Sequence, residues 1–298
     1  MLQLLAQSPT AFIAVALALG LIVGSFLNVV IYRLPIMLER QWQRESAALG
    51  AAAPAAEADR RVFNLLAPRS SCPVCHAPIG ALHNIPVFSY LALRGRCAQC
   101  RAPISARYPA VELLSGLATA TVAWQLGYGW PAACAIVVTW FLIALTFIDL
   151  DVQLLPDSLT LPLLWLGLLA SLTGWGSAAA SLPRDPASAI GGAALGYLSL
   201  WTLYHLFRLL TGKEGMGYGD FKLLAAFGAW LGWQMLLPIV LLSALVGAIV
   251  GLTLIALRRH QRANPIPFGP FLAAAGWVAM LWGPQIVARY LGLFVQRG

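Results

Sequence analysis

Charge is what this chain has least of. Only 10% of its 298 residues are Asp, Glu, Lys or Arg and 60% are hydrophobic, whereas soluble domains carry about 25% charged residues. With a mean hydropathy of +0.77, that scarcity excludes an ordinary water-soluble globule and points to lipid. Residues 1–10 have no side-chain charge, so the apolar run that follows lacks the basic start of a secretory signal. It also lacks a small-residue cleavage site leading into a soluble domain, and it reads as a retained anchor. No internal repeat stands out. No strand followed by a GK[ST] ending accompanies the glycine-rich run Gly215–Gly219, which removes the case for a phosphate loop. A nucleotide fingerprint of the Rossmann kind is absent too.

What is present is a series of apolar runs close to the roughly 20 residues needed to span a bilayer. Eight can be marked, near 11–32, 110–128, 131–149, 158–175, 188–208, 221–236, 238–257 and 270–292. The sixth is short and interrupted by Gly228 and Gly232, as a tilted, broken or re-entrant segment would be. The expected fold is an all-α polytopic membrane protein with about eight spans and a small cytoplasmic zinc-ribbon-like module.

The basic residues give the orientation. Arg33, Arg40, Arg44, Arg60, Arg61, Arg69, Arg94, Arg96, Arg101 and Arg107 follow the first run, and Arg208, Lys213, Lys222, Arg258, Arg259 and Arg262 fall in later loops on the same side. Sixteen of the nineteen basic residues thus lie on one side, leaving Arg184, Arg289 and Arg297 on the other. The positive-inside rule makes the richer side cytoplasmic and both termini extracytoplasmic. The net charge of +8 then reports topology and contact with anionic lipid, with no call for nucleic acid.

The large loop divides in two. Residues 39–67 are Ala-rich and polar, consistent with a helix and then a turn at Pro54. Residues 70–103 hold Cys72-Pro-Val-Cys75 and Cys97-Ala-Gln-Cys100, with twenty-one residues between Cys75 and Cys97. Four thiolates brought to one point suit tetrahedral zinc, which can close a small fold with little core of its own. Paired disulfides or a thioredoxin-like redox site compete with this, but the cytoplasm is reducing and no βαβ pattern surrounds either pair. His76 and His83 are spare potential ligands, more simply solvated. Cys134, alone in an apolar run, reads as a small buried hydrophobe.

Carboxylates at the ends of apolar runs are costly and so point to function. Asp149 in TFIDLDVQLLPD and Asp220 in GMGYGDFKLLAAFG both lie at the inferred cytoplasmic boundary. Two carboxylates able to share one proton are the working parts of aspartyl-protease chemistry, so the residues imply a membrane-embedded hydrolase. The alternating glycines before Asp220 permit close backbone approach. Glu112, one turn into the second span after Pro109, needs a partner; a structural ion pair and a supporting catalytic role fit its spacing equally. Gly24, Ser25 and Asn28 suit helix packing.

Taken together, GSFLNVVIYRLP, the CxxC pair with RYPAVE, FIDLDVQLLPD, GMGYGDFKLLAAFGAWLG and PIPFGP resemble the bacterial type IV prepilin peptidases of the GxGD aspartyl-protease class, in order and over nearly the whole chain. The resemblance implies Asp149 and Asp220 as the catalytic pair, with Asp151 and Asp157 as recurring acids that are not catalytic. It implies removal of the basic leader of type IV prepilins or type II secretion pseudopilins after a glycine at the cytoplasmic face of the inner membrane. N-methylation of the new N-terminus with S-adenosylmethionine would follow. In the family the methyl transfer is associated with the cysteine-bearing loop, including the glycine matched by Gly95; Arg96 stands where many relatives have lysine, and Glu112 is a supporting candidate. The organisation expected is a first span over 1–33, a cytoplasmic loop over 34–107 carrying the zinc module at 70–103, and a membrane peptidase core over 108–298. Two other classes compete: a transporter using intramembrane acids, and a zinc-binding membrane scaffold without activity.

Overall fold

A computed structural model describes residues 2–49, 63–80, 85–173, 185–257 and 266–295. The expected turn at Pro54, His83, and the basic residues Arg60, Arg61, Arg184, Arg258, Arg259, Arg262 and Arg297 lie outside the described residues. The helices are α1 (Leu2–Gln7), α2 (Pro9–Ala48), α3 (Phe88–Ala92), α4 (Arg107–Leu126), α5 (Trp130–Val152), α6 (Asp157–Leu172), α7 (Pro186–Thr211), α8 (Tyr218–Leu231), α9 (Leu236–Ala256) and α10 (Gly269–Val295). Apart from two isolated bridges, no strand occurs among the described residues, and the all-α expectation holds.

Seven of the eight apolar runs fall mainly on one helix each, while the sixth, 221–236, divides between α8, a short 3-10 turn and the start of α9. Among the described residues, four segments, Pro9–Ala48, Trp130–Val152, Trp233–Ala256 and Gly269–Ala288, are long and apolar enough to cross a membrane. On α9, Leu237, Leu241, Leu245, Ile249 and Leu252 are exposed at helical spacing, an outward apolar face suited to lipid. The first helix does not stop where its apolar run ends. It continues through Pro35 into polar sequence as far as Ala48, where Gln41 bonds Glu45 at 2.9 Å one turn on.

Residues 13–120 form one compact unit. Within it α2 and α4 meet through small residues, which allow backbones to approach closely. A Cβ built on Gly20 would fall 2.6 Å from Thr119 Oγ1, and one on Gly24 2.8 Å from Glu112 Cα. Asn28 donates across to the Tyr108 carbonyl at 3.1 Å, as expected of a packing residue. Arg33 does more than mark topology. It is buried and donates to the carbonyls of Asn64 (2.9 Å) and Pro68 (2.6 Å), tying the polar loop back to α2.

The remainder of the chain forms the second unit, built around α8. That helix is buried from Leu223 to Leu231, as a helix apolar on all sides must be. At 14 residues it is about 21 Å long, too short for the roughly 30 Å hydrocarbon core. It ends at Gly232, whose φ of +77° suits glycine, before a short 3-10 turn leads into α9. Gly228 and Gly192 bring α8 and α7 into backbone contact, and Trp230 donates its indole N–H to the Leu163 carbonyl of α6 at 2.8 Å. Gly228→Ala would drive a methyl into the Gly192 carbonyl. We expect it to lower stability by about 1–3 kcal/mol in thermal unfolding in detergent, while Gly191→Ala, which meets open space, leaves the midpoint in place.

Candidate active site and cysteine cluster

The two aspartates are set by helix ends. Asp149 lies in the last turn of α5, which is closed by Gln153 in the left-handed conformation (φ 53°) with its N–H on the Asp149 carbonyl at 2.9 Å. Asp220 occupies the third position of α8 and its carboxylate accepts from the Gly217 backbone N–H. That is the acid half of a capping box, and an acid there also complements the helix dipole. Both side chains are buried, at 6% and 7% exposure, although the sequence places them at a boundary.

A short connector brings them together. A Cβ on Gly269, at the start of α10, would fall 2.5 Å from Asp149 Oδ2 and 3.2 Å from Leu155 Cδ1; one on Gly219 would fall 2.6 Å from Leu155 Cβ. Leu155 therefore packs against both Gly219, next to Asp220, and Gly269, next to Asp149. The Gly269 N–H also donates to the Asp149 carboxylate. Asp149 stands close enough to act electrostatically on Asp220. Oδ1 of Asp220 is buried with no hydrogen-bond partner among the described residues, a costly arrangement for an anionic oxygen and a suitable one for an atom that holds or passes a proton. Of the acids not assigned to catalysis, Asp157 pairs with Lys222 at 2.6 Å. Gly269 and Leu155 were not identified as site residues from the sequence; PIPFGP signalled the segment without the reason.

The four cysteines converge. Their Sγ atoms all lie within 4.8 Å of one another, and Cys72 and Cys100 are 3.7 Å apart. Sulfurs at the corners of a tetrahedron with 2.3 Å Zn–S bonds stand about 3.8 Å apart, so the donor set and spacing fit a zinc ion. His76 is not in the cluster. The two halves are also repeats, correcting the expectation of none: Cys72-x-x-Cys75-x-Ala77-Pro78-Ile79 and Cys97-x-x-Cys100-x-Ala102-Pro103-Ile104. Each folds alike. The first cysteine N–H reaches the alanine carbonyl (Cys72 to Ala77, 3.0 Å; Cys97 to Ala102, 2.8 Å), and the residue after the second cysteine has positive φ (His76 56°, Arg101 58°). Eight residues were too short a unit to register against the apolar runs.

Backbone N–H groups within each knuckle, Cys75 and Val74 for the first, pull the Cys72 thiol down to about 6, and those of Cys100 and Gln99 lower Cys97. A lowered pKa means thiolate is present above it, and thiolate is the metal-binding form, so protons compete as pH falls. Metal held by the four thiolates is therefore expected to bind more weakly as pH falls, because protons compete for the same sulfurs; metal titrations across a pH series would record it, and an affinity independent of pH would contradict a thiolate site.

Gly95 has φ +69° and a Cβ there would meet the Tyr90 hydroxyl at 3.0 Å, so glycine is needed for the turn into the second knuckle. Arg96 is exposed beside it. Glu112 is buried and accepts from the Val87 N–H at 2.7 Å and from the Ser25 hydroxyl. It holds a β-branched residue at φ 60°, a strained conformation that needs such support.

Residues 18–126 match the bacterial peptidase A24 N-terminal domain and residues 136–252 the type IV leader peptidase family. The chain belongs to the type IV leader peptidase family. It is 56% identical over 292 residues to a prepilin leader peptidase/N-methyltransferase of Aeromonas salmonicida, covering 98% of each chain. To the protein of the same description from Pseudomonas aeruginosa it is 52% identical over 291 residues, 98% of this chain and 97% of that one. To that of Neisseria gonorrhoeae it is 48% identical over 274 residues, 91% and 90% of the two. No solved structure matches it. Nothing in these likenesses supports a transporter or an inert zinc scaffold.

Proposed function

We propose that this protein is a membrane-embedded aspartyl endopeptidase that removes the leader of type IV prepilins or type II secretion pseudopilins, or of both, and then N-methylates the new N-terminus. The observation carrying this is the pair of buried carboxylates Asp149 and Asp220, joined through Leu155 and the glycines it packs against, in a chain of this family. One carboxylate takes a proton from water as it adds to the scissile carbonyl, while the protonated partner hydrogen-bonds the carbonyl oxygen. Collapse breaks the C–N bond and the acid protonates the departing amine. Two carboxylates that share a proton titrate as a unit, so neither step is assigned to one member.

The charge pattern supports an inner-membrane protein with the site at the cytoplasmic face. There a basic leader stays at the aqueous surface while the apolar stem of the prepilin remains in lipid. Cys72, Cys75, Cys97 and Cys100 would hold a structural zinc ion, closing the module at 70–103 within a loop over 34–107; residues 1–33 and 108–298 supply the first span and the peptidase core. S-Adenosylmethionine would supply the methyl group to the freed amine, whose nitrogen takes the methyl as the sulfonium carbon–sulfur bond breaks and a proton leaves. Gly95, Arg96 and Glu112, grouped in the loop-bearing unit, are the candidates for supporting that transfer.

The test is a prepilin peptide with labelled methyl donor and the purified protein. Label is expected on the shortened peptide alone; label on uncut peptide would contradict the order, and absence of cutting by folded protein would contradict the function.

A further inference from the structure

The connector between the aspartates carries one contact that the chemistry above does not use. Lys222 Nζ lies 2.6 Å from Asp157 Oδ1. Asp157 opens α6 immediately after the connector, and Lys222 lies two residues beyond Asp220 on α8. At about 100° per residue, Lys222 leaves α8 on the side roughly opposite Asp220, so it grips the helix without entering the site. The connector is thus held at three successive points: Gln153 caps the Asp149 helix, Leu155 packs against Gly219 and Gly269, and Asp157 pairs with Lys222. The first acts beside Asp149; the second and third both reach the helix bearing Asp220, Leu155 through Gly219 and Asp157 through Lys222, the latter adding a polar tie at the turn where Asp220 lies.

We propose that the Asp157–Lys222 ion pair is a positioning clamp that sets the alignment of Asp220 with Asp149. The inference rests on the peptidase reading above. The pair is partly exposed, with side chains 26% and 58% accessible, and such pairs add little to stability. Its contribution is geometric: it ties together two segments whose relative displacement would separate the carboxylates. Misplacement of a reacting group by about 1 Å is enough to slow turnover roughly a hundredfold.

The experiment measures kcat and KM for cleavage of a prepilin peptide by the full-length protein in lipid nanodiscs. The proteins compared are wild type, Asp157→Asn, Lys222→Gln, the double variant, Lys222→Arg and Asp149→Asn, with thermal unfolding as a check on each. Each single neutral variant should lose about tenfold or more in kcat, with KM and unfolding midpoint nearly unchanged. The double variant should lose no more than the worse single one, since both remove the same contact, and Lys222→Arg should retain most of the turnover.

Wild-type kcat in the single variants, or losses that multiply in the double variant, would overturn the clamp while leaving the peptidase intact. A rise in KM that disappears when the leader is stripped of its basic residues would also overturn it, by assigning Asp157 to leader binding. If wild type behaves like Asp149→Asn and leaves the peptide uncut, the peptidase reading fails and the clamp falls with it.

Discussion

Replacing Asp149 or Asp220 with asparagine is expected to slow leader cleavage by about a thousandfold or more while the protein stays folded. Asparagine keeps the shape and an oxygen acceptor for the N–H groups of Gly269 and Gly217, but it can neither take a proton from water nor pass one to the leaving amine. Its effect on stability should be small or favourable. Both side chains are buried, a neutral amide avoids burying charge near lipid, and it removes the repulsion between like charges. Loss of function with equal or higher stability is the mark of a site held against its own folding cost. Methyl transfer to a peptide supplied already cut should survive in both variants, because the candidates for that step lie in the unit spanning residues 13–120. Gel analysis of cleavage beside thermal unfolding in detergent checks the first expectation. Cleavage at wild-type rate by either variant would remove that aspartate from the chemistry.

The second large effect is expected from a single methyl group. In Gly269→Ala the new Cβ would stand 2.5 Å from Asp149 Oδ2, closer than unbonded atoms approach, and a tight 3.2 Å from Leu155 Cδ1. The carboxylate has to rotate or α10 has to withdraw, and either breaks the alignment with Asp220. A loss of about a hundredfold in kcat is expected, with KM little changed because no new group meets the substrate. Gly251→Ala is the comparison: its Cβ would meet Ile266 Cδ1 at 3.4 Å, an ordinary contact, and turnover should be kept. Steady-state kinetics on the two variants decide it, and undiminished turnover in Gly269→Ala would contradict the packing described around Asp149.

These sites differ in how visible they are from the sequence. The apolar runs mark the long helices because hydrophobic length is a local property of the chain, and Asp149 and Asp220 stand out because charge is rare beside them. The cysteines are legible for the same reason. The continuation of α2 to Ala48 is harder to read, because a hydropathy pattern ends where the lipid does and helical hydrogen bonding does not. Arg33 looks like one more topological charge until its two carbonyl partners, Asn64 and Pro68, are seen. Leu155, Gly269 and the Asp157–Lys222 pair are invisible for a different reason. Each matters through a residue distant in sequence, 65 positions in the case of the ion pair, and no periodicity or spacing encodes such a contact. The short bulk of α8 falls between: Gly228 and Gly232 announce an irregular segment, while only its neighbours show that Gly228 is a packing contact and Gly232 a terminus.

The central claim is that this chain cuts prepilins through its paired aspartates, and the most direct test is the mass of the substrate's N-terminus. The purified protein in lipid nanodiscs is incubated with a full-length prepilin and no methyl donor, and then with S-adenosylmethionine, beside the two asparagine variants. The account predicts one cut after the leader glycine with wild type, one added methyl group on that product once the donor is present, and intact prepilin with either variant. Intact prepilin with folded wild type, or the same cut made by the variants, would contradict it.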